Sequence, residues 1–436
     1  MKHRINVLLD LWKKKKDTDQ NQALKGSRAT QEKPSMPGNQ NQDSSTRDGI
    51  NVPQNSLRSL AIAIDLKDSA GYTPLALAVT NGHQNVVETL VGSGANVWIK
   101  DNQDRNNLHR AARNSNTAVF LFLLEKATET DVNAVSSSGT TPLMEAIESG
   151  VEGNAVALLE TGIPKFILNL EETYWDKRTA LGLASWLDLV KVVDLLLHAR
   201  AKRDTRDQGG DTPLHEACIS GNYNVAKLLL QYGSIPATFD NNNEEASVDP
   251  KHEERLANLK NDMGKTPLFC AVENQRIHVV ELLLDNEANA DLKDNSGESP
   301  LGIAARTLEE DIFLMVLTKV KNPSVADDKN QTPLLWLIRN NMELAATALL
   351  QRDVDMEIHP EHNMGPLHEA VRNCSLDSFS LVDRLLSKGA NPLWTDSQGM
   401  TALHMAAARG FLELLKSVLK TIHKMEPVFN SKYDDK

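Results

Sequence analysis

Cysteine is almost missing from this chain: Cys218, Cys270 and Cys374 are the three in 436 residues. Their odd number and the lack of any C-x-x-C pair exclude a disulfide framework and fit reduced thiols in a cytosolic or nuclear protein. Aromatic residues make up only 5% of the sequence. Long apolar runs are lacking too. The longest, from Ala118 to Leu124, falls far short of the roughly 18 residues that suggest a membrane span. Positive charge is in deficit, with a formal net charge of −12. An acidic body argues against general nucleic-acid binding and for solubility.

Catalytic signatures are also wanting. Gly264-Lys265-Thr266 resembles the end of a phosphate-binding loop, but Leu259 stands where its first glycine would be. His215-Glu216 and His368-Glu369 begin like a zinc-protease motif, yet Ile219 and Arg372 occupy the position of the second histidine. His359-Pro360-Glu361-His362 is a proline turn with no further ligand cluster nearby in sequence. No nucleophile elbow, kinase signature or deaminase pattern occurs. The chain is expected to be no enzyme, with no catalytic residue, cofactor or metal.

What is present is periodicity. Its clearest unit is Gly210-Asp211-Thr212-Pro213-Leu214-His215-Glu216-Ala217, running on to Gly221. Proline is tolerated in the first turn of a helix, where its missing N–H loses no partner. The threonine before it can cap the free amides of that turn. Leu214 and Ala217 then share one helical face. Gly221 accepts the positive φ of a helix end, and a second apolar helix, Val225 to Leu230, closes at Gly233. Such a unit of about 33 residues buries too little surface to stand alone and must stack on neighbours.

The threonine slot recurs at Thr73, Asn106, Thr141, Thr179, Thr212, Thr266, Ser299, Thr332, Gly365 and Thr401. Five of the nine gaps are 33 residues and a sixth is 35. Thr-Pro-Leu is intact five times, and Asn106-Asn107-Leu108 is the poorest match. The pattern resembles the ankyrin-repeat family. The resemblance implies an all-α solenoid of ten stacked helix-turn-helix pairs with β-hairpin-like loops over residues 55–425. It also implies a structural role, bonding within the turn, for His109, His215, His368 and His404, which share one slot.

Insertions interrupt the period near 164–175 and 239–260, the second acidic and expected to be a tolerated excursion. Residues 57–64 should form a short leading helix. Residues 17–54, polar and poor in large apolar side chains, are expected to be a disordered linker. Residues 1–16 form a basic segment with Ile5, Leu8, Leu9 and Trp12 on one helical stripe. It suits a membrane-surface helix, a partner helix or an import signal, with a frayed, solvated start of the chain as the alternative. Residues 426–436 are assigned to a C-terminal tail.

In the family, partners usually meet the loop tips and the exposed side of the first helix. Carried over, this implies a contact surface of Tyr72, Arg105, Arg113, Trp175, Arg178, Trp186, Leu187, Arg306, Arg339, Arg372 and Arg409. Trp175, Arg178, Trp186 and Leu187 gather in the fourth repeat and match the composition of interface hot spots, with local core packing as the alternative. Arg306, Arg339, Arg372 and Arg409 form a column suited to an acidic or phosphorylated segment, or simply cover the helices with their stems. Trp336 is expected to pack between helices, off this surface. The implied function is a monomeric, cytoplasmic scaffold or adaptor that binds a protein on the concave face of the array, the nucleus being a second possible location. The alternative is a membrane-tethered regulator anchored by residues 1–16.

Overall fold

The computed structural model describes residues 64–162, 166–232, 256–356, 364–374 and 379–433. The expectations for residues 1–16, 17–54 and 57–63, for the acidic insert up to residue 255 and for His359 to His362 lie outside them. All regular structure among the described residues is helical. The chain divides into two compact units, one ending at Asn169 and the other beginning at Leu170.

The first unit holds three repeats, whose first helices are Pro74–Thr80, Asn107–Ala112 and Pro142–Glu148. The second holds seven, with first helices Ala180–Trp186, Pro213–Ser220, Pro267–Glu273, Pro300–Arg306, Pro333–Arg339, Pro366–Asn373 and Ala402–Ala408. Each begins where the threonine slot places it. The Thr212 hydroxyl accepts the His215 amide, Thr266 that of Phe269 at 3.2 Å and Ser299 that of Gly302 at 3.1 Å. Asn106, the weakest match by sequence, caps most fully. Its side chain accepts the amides of Leu108 and His109, and its Nδ2 donates to the Asp131 carbonyl. At Gly365 no side chain caps the helix.

The core follows the same period. The leucine two residues after the slot is buried in the first nine repeats, from Leu75 to Leu367. Leu403 in the tenth is only half-buried, with no further repeat packed on it among the described residues. Second helices contribute Val192, Val193, Leu196 and Leu197, or Val279, Val280, Leu283 and Leu284, to the same layer.

Between helix pairs the loops turn as hairpins. Five residues before seven of the ten slots an Asp or Asn closes the turn with its backbone amide, as from Asp207 to the Asp211 carbonyl at 3.0 Å, and Ser136 and Tyr174 do so in the third and fourth repeats. The same residue's side chain accepts the Gly209 and Asp211 amides, both at 2.8 Å. Gly210 sits there at φ +79, and a Cβ on it would come within 2.4 Å of Asp262 Oδ1. Successive tips are joined by single backbone bonds, Gln208 to Asp176, Asp262 to Gly209, Asn295 to Met263 and Asp328 to Ser296. The bond from Asp262 to Gly209 spans the long insertion, so the fifth and sixth repeats stack in register across it. Leu256 and Ala257, inside the expected insertion, are packed in the core. The last helix, Leu412–Tyr433, runs past residue 425 into the segment assigned to a tail.

Candidate interaction face

In a first helix, residues four and seven after the slot lie one turn apart on the same side. The residue just before the slot, at the loop tip, reaches toward the seventh. Within the sixth, seventh and eighth repeats these two positions meet as complementary partners. Lys265 Nζ lies 2.7 Å from Glu273 in the sixth repeat, and Arg306 lies 2.9 Å from Glu298 in the seventh. Arg339 donates to Gln331 in the eighth. Between repeats the seventh position meets the next repeat's fourth. Arg113 Nη1 donates to Glu145 at 2.7 Å, and Arg339 Nε donates to Glu369 at 2.8 Å. The fourth position therefore belongs to this face, although sequence reasoning left it out. The one-turn spacing was the signal that would have added it.

The fourth repeat carries the most open apolar surface on the face. Trp175 is 69% exposed, Trp186 40% and Leu187 41%, so these residues are not core packing. Arg178 stands beside Trp186, its guanidinium 5.2 Å from the ring. Its Nε donates to Glu216 of the fifth repeat at 2.6 Å, and Asp176 lies 3.3 Å away. Glu216 is itself buried. Burial pushes its carboxyl up to about 7, against the pull of the Arg178 guanidinium.

The arginine column is largely occupied by the protein's own groups. Arg306 pairs with Glu298, Arg339 with Glu369, and Arg372 Nε lies 3.5 Å from the other Glu369 oxygen. Arg409 departs from the column. It stands eight residues after its slot, not seven, and its guanidinium donates to the Val371, Arg372 and Cys374 carbonyls. Trp336 also departs from expectation. It occupies the fourth position, half-exposed, with the guanidiniums of Arg306 and Arg339 5.9 Å and 5.6 Å from its ring. It lies beside the column instead of between helices.

In the first unit the face is built by the first two repeats. Tyr72, Thr80, Arg105, His109, Arg110 and Arg113 line one cavity. Arg110 lies over the Tyr72 ring at 3.9 Å and pairs with Asp101. Burial works against the Asp101 carboxylate, but the Arg105 and Gln103 amides and then the two guanidiniums outweigh it and hold its pKa below the ordinary value. The signature histidines are structural. Nε2 of His109, His215 and His368 faces the Thr140, Lys265 and Met400 carbonyls at 3.0–3.1 Å, tying each repeat to the next. Burial lowers the pKa of His109 to about 4 and that of His215 as well. Both rings are therefore neutral, with the proton on Nε2. Exposed His404 keeps only its Nδ1 contact to Thr401 at 2.8 Å. Among the described residues no His, Cys, Asp and Glu cluster could hold a metal ion, and no helix is long and apolar enough to cross a membrane.

Comparison with known proteins gives matches to models of ankyrin repeats in three copies at residues 163–243 and 242–327, in many copies at 374–417, and as a single repeat at 70–102. The chain is 32% identical over 187 residues to human transient receptor potential cation channel subfamily A member 1, covering 41% of this chain and 16% of the channel. It is 31% identical over 175 residues to the Gallus gallus nuclear factor NF-kappa-B p105 subunit, covering 40% and 17%. With Xenopus laevis neurogenic locus notch homolog protein 1 it shares 26% identity over 211 residues, covering 45% and 8%. The chain thus spans less than a fifth of the length of these curated relatives. The crystal structure of the ankyrin repeat domain of Bcl-3 aligns with 57% of this chain and 99% of its own, at 25% identity and a TM-score of 0.45.

Proposed function

Because this chain belongs to the ankyrin-repeat family, whose repeats form protein–protein interaction modules, we propose that it is a non-enzymatic scaffold gripping a protein partner on the repeat face, with the fourth repeat as its centre. The observation that carries this reading is the pair of open indoles of one repeat, Trp175 and Trp186, the second beside an arginine already fixed by Glu216 and Asp176. Tryptophan and arginine supply large contact area and dominate interface energetics. An arginine held in place by the protein's own carboxylates keeps Trp186 oriented before a partner arrives, which lowers the ordering cost of binding.

The column at Arg306, Arg339 and Arg372 has a lesser part in this scheme. Its guanidiniums already hold Glu298 and Glu369, so an acidic segment there would have to displace buried carboxylates. A cytosolic or nuclear setting and a monomeric state go with the reading. Supporting the setting, the three cysteines are free.

The test is capture from cell lysate by the full chain beside the same chain carrying W175A and W186A together. Both side chains are exposed, so the variant should melt within a few degrees of the parent while losing a saturable partner. Unchanged capture by the folded variant would remove the fourth repeat as the binding centre.

A further inference from the structure

The cavity of the first two repeats carries a charge pattern that the other repeats do not share. In the sixth, seventh and eighth repeats the loop-tip position and the seventh helix position form complementary partners, Lys265 with Glu273, Glu298 with Arg306 and Gln331 with Arg339. In the second repeat both positions are arginine, Arg105 and Arg113, and both line the same cavity. Neither of the two positions supplies an anion to the other. We propose that this cavity is a carboxylate-binding pocket that receives an aspartate or glutamate side chain from a protein partner. The proposal deepens the scaffold reading and rests on it for the source of the carboxylate.

The donors suit that ligand. Arg105 commits Nε to Asp101 at 3.2 Å, and its two terminal amino groups have no partner among the described residues. Arg113 commits Nη1 to Glu145 at 2.7 Å and, more loosely, to Glu148 at 3.4 Å, leaving its Nε and Nη2 unpaired there. Arg110 is fully used: it pairs with Asp101, reaches Thr80 Oγ1 at 3.4 Å and stacks on Tyr72. Its role is to hold the cavity wall rigid.

Size and charge narrow the choice. The cavity measures about 280 Å³, which leaves room for a carboxylate side chain. His109 is neutral and adds no charge. Of the three arginines, the buried Asp101 and Glu145 offset two, and the third is met only by Glu148 at 3.4 Å. Glu148 is 41% exposed at its side chain, and an incoming carboxylate would take its place on Arg113 without changing the balance. A phosphate, at about −1.5 to −2 near pH 7, would overfill the site.

The test titrates the full chain, labelled with ¹⁵N-arginine, and follows the Nε–H signals of Arg105 and Arg113, assigned from R105Q and R113Q. The probe is N-acetylglutamate methylamide, with N-acetylglutamine methylamide and N-acetylphosphoserine methylamide as the other arms. The glutamate compound should shift both signals saturably, and the glutamine compound should not. R113Q, read at Arg105, and R105Q, read at Arg113, should each weaken binding roughly tenfold, the effect of one lost charge-assisted hydrogen bond. R105K keeps the charge without the planar fork and should retain part of the affinity, which separates binding from any loss of folding. Equal shifts with glutamine, or no saturable shift with glutamate, would overturn the pocket. Phosphoserine binding more than tenfold tighter than glutamate would overturn the carboxylate assignment. Because the titration needs no partner and leaves Trp175 and Trp186 untouched, it can fail independently of the lysate capture.

Discussion

Arg178 Nε lies 2.6 Å from Glu216 Oε1 and joins the fourth repeat to the fifth through a carboxylate that is almost wholly buried. The second carboxylate oxygen has no hydrogen-bond partner among the described residues. One charged contact therefore has to offset the desolvation of a whole carboxylate.

A pH dependence follows from that imbalance. Burial raises Glu216 from an ordinary 4.5 to about 7, despite Arg178. The folded state then holds a proton that the unfolded chain has already released. Stability from this group is full below about pH 4.5 and is lost as pH rises through about 7, amounting to roughly 3 kcal/mol. Replacing Glu216 by Gln removes the titration. The melting temperature of the parent minus that of E216Q should fall between pH 4.5 and 7, and a flat difference would contradict the account.

His109 works in the opposite direction. Its imidazole is buried against the Thr140 carbonyl at 3.1 Å, and burial lowers its pKa from 6.5 to about 4. The unfolded chain binds the proton first as pH drops. Stability is therefore full above pH 6.5 and is lost as pH falls toward 4, again by roughly 3 kcal/mol. Urea unfolding of the parent and H109Q at several pH values should give a difference that grows from pH 4 to 6.5. Its slope should be opposite in sign to that of the Glu216 pair.

Much of this architecture is legible in the sequence because the period is local. Thr212, Pro213, Leu214 and Gly221 each act within their own repeat, through a cap, a first turn, a core face and a left-handed helix end. The face is less legible, because its chemistry lies between repeats. Nothing adjacent to Arg339 announces that its partner is Glu369, thirty residues on, and Trp336 was misplaced because its surroundings, Arg306 and Arg339, come from two different repeats. Arg409 shows the opposite limit. A shift of one residue along the helix changes its partners from a carboxylate to backbone carbonyls.

The left-handed position nine residues after the slot offers a stability test in both directions. Gly82, Gly150, Gly221 and Gly410 occupy it, but in the seventh repeat it is Leu308, at φ +66 and 63% exposed. A branched side chain in that conformation costs about 1–2 kcal/mol, more than the entropy of a glycine. Leu308→Gly should therefore stabilise the chain, by up to about 1 kcal/mol. Gly221→Ala should destabilise it, because the residue is at φ +86 and the new Cβ would lie 2.8 Å from Arg276 Cδ. Thermal melts of both variants check the pair, and a melting temperature lowered by L308G would refute the strain argument.

Trp336 provides the last test, and its design has to respect Glu369. The indole lies between Arg306 and Arg339 at cation–π range, where each contact is worth roughly 0.5–1 kcal/mol at an exposed site. Removing Arg339 alone would strand the buried Glu369 charge and mix a large desolvation penalty into the result. The cycle is therefore run in an E369Q background, with W336L, R339Q and the two combined. A coupling energy of roughly 0.5–1 kcal/mol from urea unfolding is expected. A coupling near zero would mean that Arg339 is positioned by Gln331 and Glu369 alone, and that the ring lies beside it without contributing to its hold.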